Sequence, residues 1–111
     1  MKKKSEIKAF RPSRWWSNVT ALRIDSGVTE KELSALIGKT ENYLQNAIRH
    51  GGSPNIADAL AIAEAFDMTV EELAYGAIGL QIRQKQLEAE LARIKEEIID
   101  AENDVRMLGA E

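Results

Sequence analysis

The 111-residue chain has no cysteine, one histidine (His50), two prolines and only two residues each of Trp, Tyr and Phe. Without cysteine there is no disulfide framework and no thiolate metal site, and a lone histidine cannot build a multi-histidine centre. No metal or cofactor is expected. No run approaches the roughly 18 consecutive apolar residues that a membrane span requires. Lys2-Lys3-Lys4 is followed by Ser5-Glu6-Ile7-Lys8 rather than by an apolar signal core. A cytoplasmic protein without a membrane partner is therefore expected. Positive charge is also in deficit, with 15 Lys and Arg against 18 Asp and Glu and a net charge of −3. That balance argues on its face against nucleic acid, because phosphate selects basic surfaces.

The average hides an uneven distribution. Residues 1–50 hold ten Lys and Arg against five acids, residues 51–76 five acids and no base, and residues 77–111 five bases against eight acids. A basic first half can face phosphate while the acidic parts stay away, since charges more than ~8 Å apart are largely screened at physiological salt. An ordinary surface fluctuation would give the same numbers, and charge alone does not choose between the two.

Fifteen residues are Ala and no stretch alternates β-branched residues with period two, so an all-α fold is expected. Pro12 can open a first helix, in which Trp15, Trp16, Val19, Leu22 and Ile24 recur near helical spacing until Asp25-Ser26-Gly27. Trp15 and Trp16 read as core and rim rather than as a stacking platform for bases. Thr29 and Glu32 have capping-box spacing, each side chain satisfying an orphan amide, and open a second helix with Leu33, Leu36 and Ile37 inside and Gly38 at its end. Thr40 is expected to cap a third helix with apolar Tyr43, Leu44, Ala47 and Ile48, closed by Gly51-Gly52-Ser53-Pro54. Asn55 starts a fourth, with Ile56, Leu60, Ala63 and Phe66 facing inward. Thr69 and Glu72 form a second capping box before a short fifth helix that stops near Gly76.

Beyond Gly79 the pattern becomes heptad. With Gln84, Leu91, Ile98 and Val105 at a, the d positions are Leu80, Leu87, Ile94, Ala101 and Leu108. About 30 residues of helix span roughly 45 Å, and an apolar stripe of that length has to be buried somewhere.

The second and third helices, joined tightly through Gly38, describe a helix-turn-helix. The stretch from Val28-Thr29-Glu30-Lys31-Glu32-Leu33-Ser34-Ala35-Leu36-Ile37-Gly38, through Leu44 and Pro54-Asn55-Ile56, to Ala63-Glu64-Ala65-Phe66-Asp67-Met68-Thr69-Val70-Glu71-Glu72-Leu73 resembles the lambda-repressor-like family. These are the Cro/XRE-type helix-turn-helix DNA-binding domains of phage repressors and bacterial regulators. The resemblance covers about residues 14–76 and implies a five-helix DNA-binding domain. Two positions depart from it: Glu30 stands where many members have Gln, and Ile48-Arg49-His50-Gly51 replaces the usual Glu-x-Gly. Glu30 would weaken a phosphate contact, which puts the docking angle in doubt.

In such a motif the third helix lies in the major groove. Leu44 and Ile48 must turn inward, leaving Glu41, Asn42, Gln45, Asn46 and Arg49 outward. Asn and Gln can pair bidentately with adenine, and a carboxylate can accept from cytosine N4. The same polar face would also be normal on any solvated helix; the resemblance favours base contact. Tyr43 fits either the core edge or a phosphate or thymine-methyl contact. Thr29 and Thr40 suit phosphate oxygens at helix N-termini, joined by Lys31, Lys39 and Arg49, while His50 reads as merely exposed. Lys2, Lys3, Lys4, Lys8 and Arg11 form either a basic arm that reaches DNA or a solubilising terminus.

The expected organisation is a basic arm at 1–12, a DNA-binding domain at 13–76, and a hinge with an oligomerisation helix at 77–111. Dimerisation would bury Leu80, Gln84, Leu87, Leu91, Ile94, Ile98, Val105 and Leu108, with Ala77-Ile78-Gly79 as a hinge. The flanking charge pairs do not fix strand direction. The function expected is a dimeric, sequence-specific repressor that binds double-stranded DNA. An antitoxin binding a toxin, and a coiled-coil adaptor that binds no DNA, are the alternatives. No nucleophile–base–orienter set or phosphate loop is present, so no enzymatic activity is expected.

Overall fold

The computed structural model describes residues 1–109. All regular structure among the described residues is helical. A 3-10 turn at Lys4–Glu6 precedes α1 (Pro12–Ser26), α2 (Glu30–Leu36), α3 (Tyr43–His50), α4 (Ile56–Ala65), α5 (Val70–Tyr75) and α6 (Ile78–Gly109). The expected C-terminal segment ends at residues 110–111, which lie outside the described ones. The described residues divide into two compact units, residues 1–79 and residues 80–109.

In the first unit, α1 packs on α5, α2 on α3, and α4 on both α2 and α5. The largest fully enclosed side chains are Trp15, Leu33, Leu44, Ile62, Leu73 and Val19, so each of the five short helices contributes. Ile78, the first residue of α6, is also buried. Trp15 and Trp16 meet edge to face, their centroids 6.4 Å apart. Both are core residues, and the Trp16 indole N–H donates to the Gly52 carbonyl at 2.8 Å, tying α1 to the loop after α3. The buried Asn18 amide donates to the carbonyls of Leu73 at 2.8 Å and Gly76 at 2.9 Å, closing the C-terminal end of α5. Those carbonyls have no partner within their own helix, so a side-chain donor takes the place of water.

Several expectations need correction. Ile24, Leu36, Ile56 and Leu60 are exposed rather than internal, Ile56 to 79%. On α4 the buried face runs instead through Asp58, Ala59, Ile62 and Ala63. Ile56 and Leu60 share a face of α4, but that face is outward, and a buried acid holds the inward position. Thr40 does not cap α3: its carbonyl accepts from Tyr43 N–H at 3.0 Å in a turn, and the helix begins at Tyr43 with Asn42 at the cap position. The two capping boxes also differ. At Thr69 it is complete, the Glu72 carboxylate accepting from the Thr69 N–H. At Thr29 the hydroxyl accepts from Glu32 N–H, but the Glu32 carboxylate takes the hydroxyl proton instead of the backbone N–H. Finally, Ile78 and Gly79 belong to the first turn of α6, so only Gly76 and Ala77 separate it from α5.

In the second unit α6 is helical to Gly109. Thirty-two residues at 1.5 Å each give about 48 Å. Its heptad residues Leu80, Leu87, Leu91, Ile94, Ile98, Val105 and Leu108 are all exposed, Ile94 the least of them at 42%.

Candidate nucleic-acid interface

The joint between α2 and α3 begins at Gly38, whose φ of 76° is a left-handed conformation that a side chain resists. There Gly38 N–H donates to the Ala35 carbonyl and Lys39 N–H to the Ser34 carbonyl, at 3.0 and 2.9 Å, which ends α2 and turns the chain. Ser34 is wholly buried at this point. Its hydroxyl donates to the Glu30 carbonyl at 2.8 Å and accepts from Leu44 N–H at 3.1 Å. Leu44 N–H is one of the amides that a helix N-terminus leaves without an internal partner. With Asn42 making no side-chain cap, a residue of α2 supplies the missing acceptor for α3.

A second anchor lies at the start of α3. The Tyr43 hydroxyl donates to Asp58 Oδ2 at 2.6 Å, and Lys39 Nζ lies 3.0 Å from Asp58 Oδ1 and 5.4 Å above the Tyr43 ring. Asp58 is buried, and its backbone N–H donates to Asn55 Oδ1 at the cap of α4. Burial alone would raise the Asp58 pKa. The hydrogen bond from Tyr43 and the Lys39 ammonium outweigh it and hold the carboxyl below the usual range. Burial, reinforced by the adjacent carboxylate, pushes the Tyr43 phenol well above its ordinary value.

These anchors leave one face of α3 outward. Asn42, Gln45, Asn46 and Arg49 are exposed and spaced i, i+3, i+4 and i+7, the spacing of a single helix face. Glu41 is exposed too, 3.4 Å from Lys31 of α2. Thr29, Glu30, Lys31 and Gln45 line one open concavity together with Arg23 and Val28. Arg23 closes the start of that surface, its guanidinium donating to the Val28 carbonyl at 3.1 Å and lying 3.7 Å from Glu30. Thr40 is exposed in the joint. His50 is exposed as well, its Nδ1 donating to the Asn46 carbonyl at 2.7 Å.

The expected residues fall into two sets. Thr29, Lys31, Thr40, Glu41, Asn42, Gln45, Asn46 and Arg49 are exposed on the two helices or their joint, while Tyr43 and Lys39 are engaged by Asp58. Arg49 has no ion-pair partner among the described residues. The sequence pattern does not mark Ser34, Asp58 or Arg23. Buried Ser and Asp within amphipathic helices give no periodic signal, although Asn55 three residues ahead of Asp58 marks the cap.

Charge within the motif itself is balanced, with Lys31, Lys39 and Arg49 set against Glu30, Glu32 and Glu41. The positive excess of the first half lies in residues 1–27. Part of it is gathered by Tyr75, over whose ring Lys8 Nζ sits at 5.7 Å and whose carbonyl accepts from Arg14 at 3.4 Å. Lys8, Arg11 and Arg14 share one depression with Ala74 and Tyr75. No group of three or more His, Cys, Asp or Glu that could hold a metal ion occurs among the described residues. No described helix is long and apolar enough to cross a membrane.

A family model described as Helix-turn-helix matches residues 19–73, which begin within α1 and end within α5. The fold is similar to that in the crystal structure of the clp gene regulator ClgR from Corynebacterium glutamicum, with a TM-score of 0.52 and 23% identity over 72% of this chain and 88% of that one. No curated protein sequence matches the chain.

Proposed function

Residues 19–73 belong to the Cro/XRE-type helix-turn-helix family of DNA-binding domains, and from that premise we propose that this transcriptional regulator is a dimeric repressor of phage or bacterial mobile-element type reading a pseudo-palindromic operator with α3. One observation carries the reading. Asn42, Gln45, Asn46 and Arg49 share an exposed face of α3, whose opposite side is fixed by Leu44, Ser34 and the Tyr43–Asp58 bond. Amide side chains held on a rigid element can discriminate adenine by bidentate hydrogen bonds, and Arg49 can read guanine or hold phosphate.

Thr29, Lys31 and Thr40 take phosphate positions around that face, while Glu41 accepts from cytosine once released from Lys31. Lys39 acts first by positioning, because its ammonium holds the buried Asp58. Since the motif carries no net charge of its own, the basic residues of the N-terminal segment, Lys8, Arg11 and Arg14 among them, supply most of the non-specific attraction. We assign residues 1–12 to a basic arm, 13–76 to DNA binding and 77–111 to oligomerisation. Doubling of the heads through α6 gives an operator of two half-sites, and occlusion of a promoter suffices for repression. A DNA ligand would place the protein in the cytoplasm.

Selection from a random DNA pool with the full-length protein tests this reading. It should enrich an inverted repeat, and Asn46→Ala should relax preference at one position of each half-site. Failure to enrich any sequence while binding stays weak and strongly salt-dependent would leave a non-specific binder and refute the operator.

A further inference from the structure

We infer that the exposed apolar stripe of α6 is covered by the same helix of a second copy, running antiparallel. This rests on the dimeric reading above and adds the direction of the pairing. The stripe has heptad spacing along α6, with Leu87, Leu91, Ile94 and Ile98 at its centre all exposed. What selects the occupant is the charge along the helix. Residues 80–95 carry Arg83, Lys85, Arg93 and Lys95 against Glu88 and Glu90, a balance of +2. Residues 96–109 carry Glu96, Glu97, Asp100, Glu102 and Asp104 against Arg106, a balance of −4. Parallel pairing sets acidic half beside acidic half and basic half beside basic half. Antiparallel pairing about a centre between residues 92 and 93 sets residues 96–105, at −5, beside the partner's residues 80–89, at +1, and leaves only residues 90–95, at +1, beside their own kind.

Side-chain size agrees. In antiparallel register Leu91 faces the partner's Ile94, Leu87 faces the partner's Ile98 and Leu80 faces the partner's Val105. Gln84, the polar member of the a positions, then faces the partner's Ala101, the smallest residue of the seam. Gln84 Nε2 donates one of its two N–H groups to Glu88 Oε1 at 3.2 Å, which draws the amide toward the flank of the seam. A parallel pair would stack Gln84 on Gln84 and Ala101 on Ala101, the second layer leaving a gap at the core. The flanking pairs do not discriminate. Antiparallel pairing joins Arg83 to Asp104 and Glu88 to Lys95 and opposes Glu90 to Glu97. Parallel pairing joins Arg83 to Glu88 and Glu90 to Lys95 and opposes Glu97 to Glu102.

The chain lacks cysteine, so Gln81→Cys in the full-length protein carries a single nitroxide label. Light scattering gives the number of chains, and electron–electron dipolar spectroscopy gives the separation of the labels. Two chains with labels more than about 30 Å apart are expected, because antiparallel pairing sets residue 81 level with the partner's residue 104, 23 residues or about 35 Å along the helix. Two chains with labels within about 20 Å, side by side at one level of the coil, would overturn the direction and leave the dimer standing. A monomer at all concentrations would overturn both, and a stable tetramer would overturn the two-chain seam.

Discussion

The Ser34 hydroxyl accepts the Leu44 N–H at 3.1 Å while donating its own proton to the Glu30 carbonyl at 2.8 Å. One oxygen without solvent exposure thus joins the first turn of α3 to the first turn of α2. Ser34→Ala removes the acceptor and leaves a buried N–H unpaired, which costs about 1–3 kcal/mol. In urea the midpoint should fall with the slope unchanged. A loss below ~0.5 kcal/mol, the range typical of surface substitutions, would show that Leu44 N–H finds another partner.

Tyr43 and Asp58 make stability depend on pH at both ends. The Tyr43 pKa is raised in the folded chain, so its contribution is complete below the ordinary value of 10.0 and is lost as pH rises above it. The Asp58 pKa is lowered from 3.8, so its contribution is complete above that value and is lost as pH falls below it. Tyr43→Phe should flatten the alkaline limb of a plot of melting temperature against pH. It should also cost about 1.5–3 kcal/mol at neutral pH, because a buried carboxylate loses a donor. An unchanged alkaline limb would mean that the phenol titrates as if exposed.

Two neighbouring cations should respond differently. Arg49→Ala should lower the slope of log affinity against log salt by about 1 and leave stability within ~0.5 kcal/mol. Lys39→Ala should instead destabilise the fold, because it leaves the Asp58 carboxylate buried without its cation. Thermal unfolding of both variants beside fluorescence anisotropy on an operator fragment separates the roles. Equal losses of stability would contradict the assignment.

Gly76 is fixed by close approach rather than by a left-handed backbone. A Cβ placed there would lie 2.4 Å from the Glu72 carbonyl oxygen, which is the atom that accepts the Gly76 N–H at 2.8 Å. Gly76→Ala must therefore move backbone at the end of α5, where Asn18 is anchored. A loss of about 1–3 kcal/mol is expected, lowering the melting temperature by some 4–8 °C per kcal/mol for a domain of this size. Asp67→Gly should act in the opposite direction. Asp67 has φ 52° at the C-terminal end of α4, and relief of that strain is expected to raise the melting temperature slightly.

Most helix positions were legible because caps and Gly turns are local signals. Thr29, Asn55 and Thr69 each accept from the amide three residues on, as their spacing indicates. The helix-turn-helix and the long C-terminal helix were legible too, the first through its Gly38 joint and the second through regular apolar spacing without Pro or Gly. The start of α3 was not, because its missing acceptor is Ser34, ten residues earlier and on another helix. The exposure of Ile56 and Leu60 was also hidden: the residue that turns α4 is Asp58, and its burial becomes tolerable only when Lys39 and Tyr43 arrive from a different part of the chain. Polar anchors made across the fold carry no period, so spacing alone assigns the wrong residues to the interior.

All six aromatic residues lie between Phe10 and Tyr75, and none falls on the 32-residue helix that follows. Trp15 and Trp16 are enclosed by the short helices, so intrinsic fluorescence reports on that unit and is blind to the long helix. Far-ultraviolet circular dichroism weighs backbone, and α6 holds a large part of the helical residues. If α6 pairs with a second copy as proposed and frays when single, dilution below the dissociation constant should therefore drain ellipticity while the emission maximum stays still. The protein carries two optical channels, one for the unit of short helices and one weighted toward the long helix, without any added label.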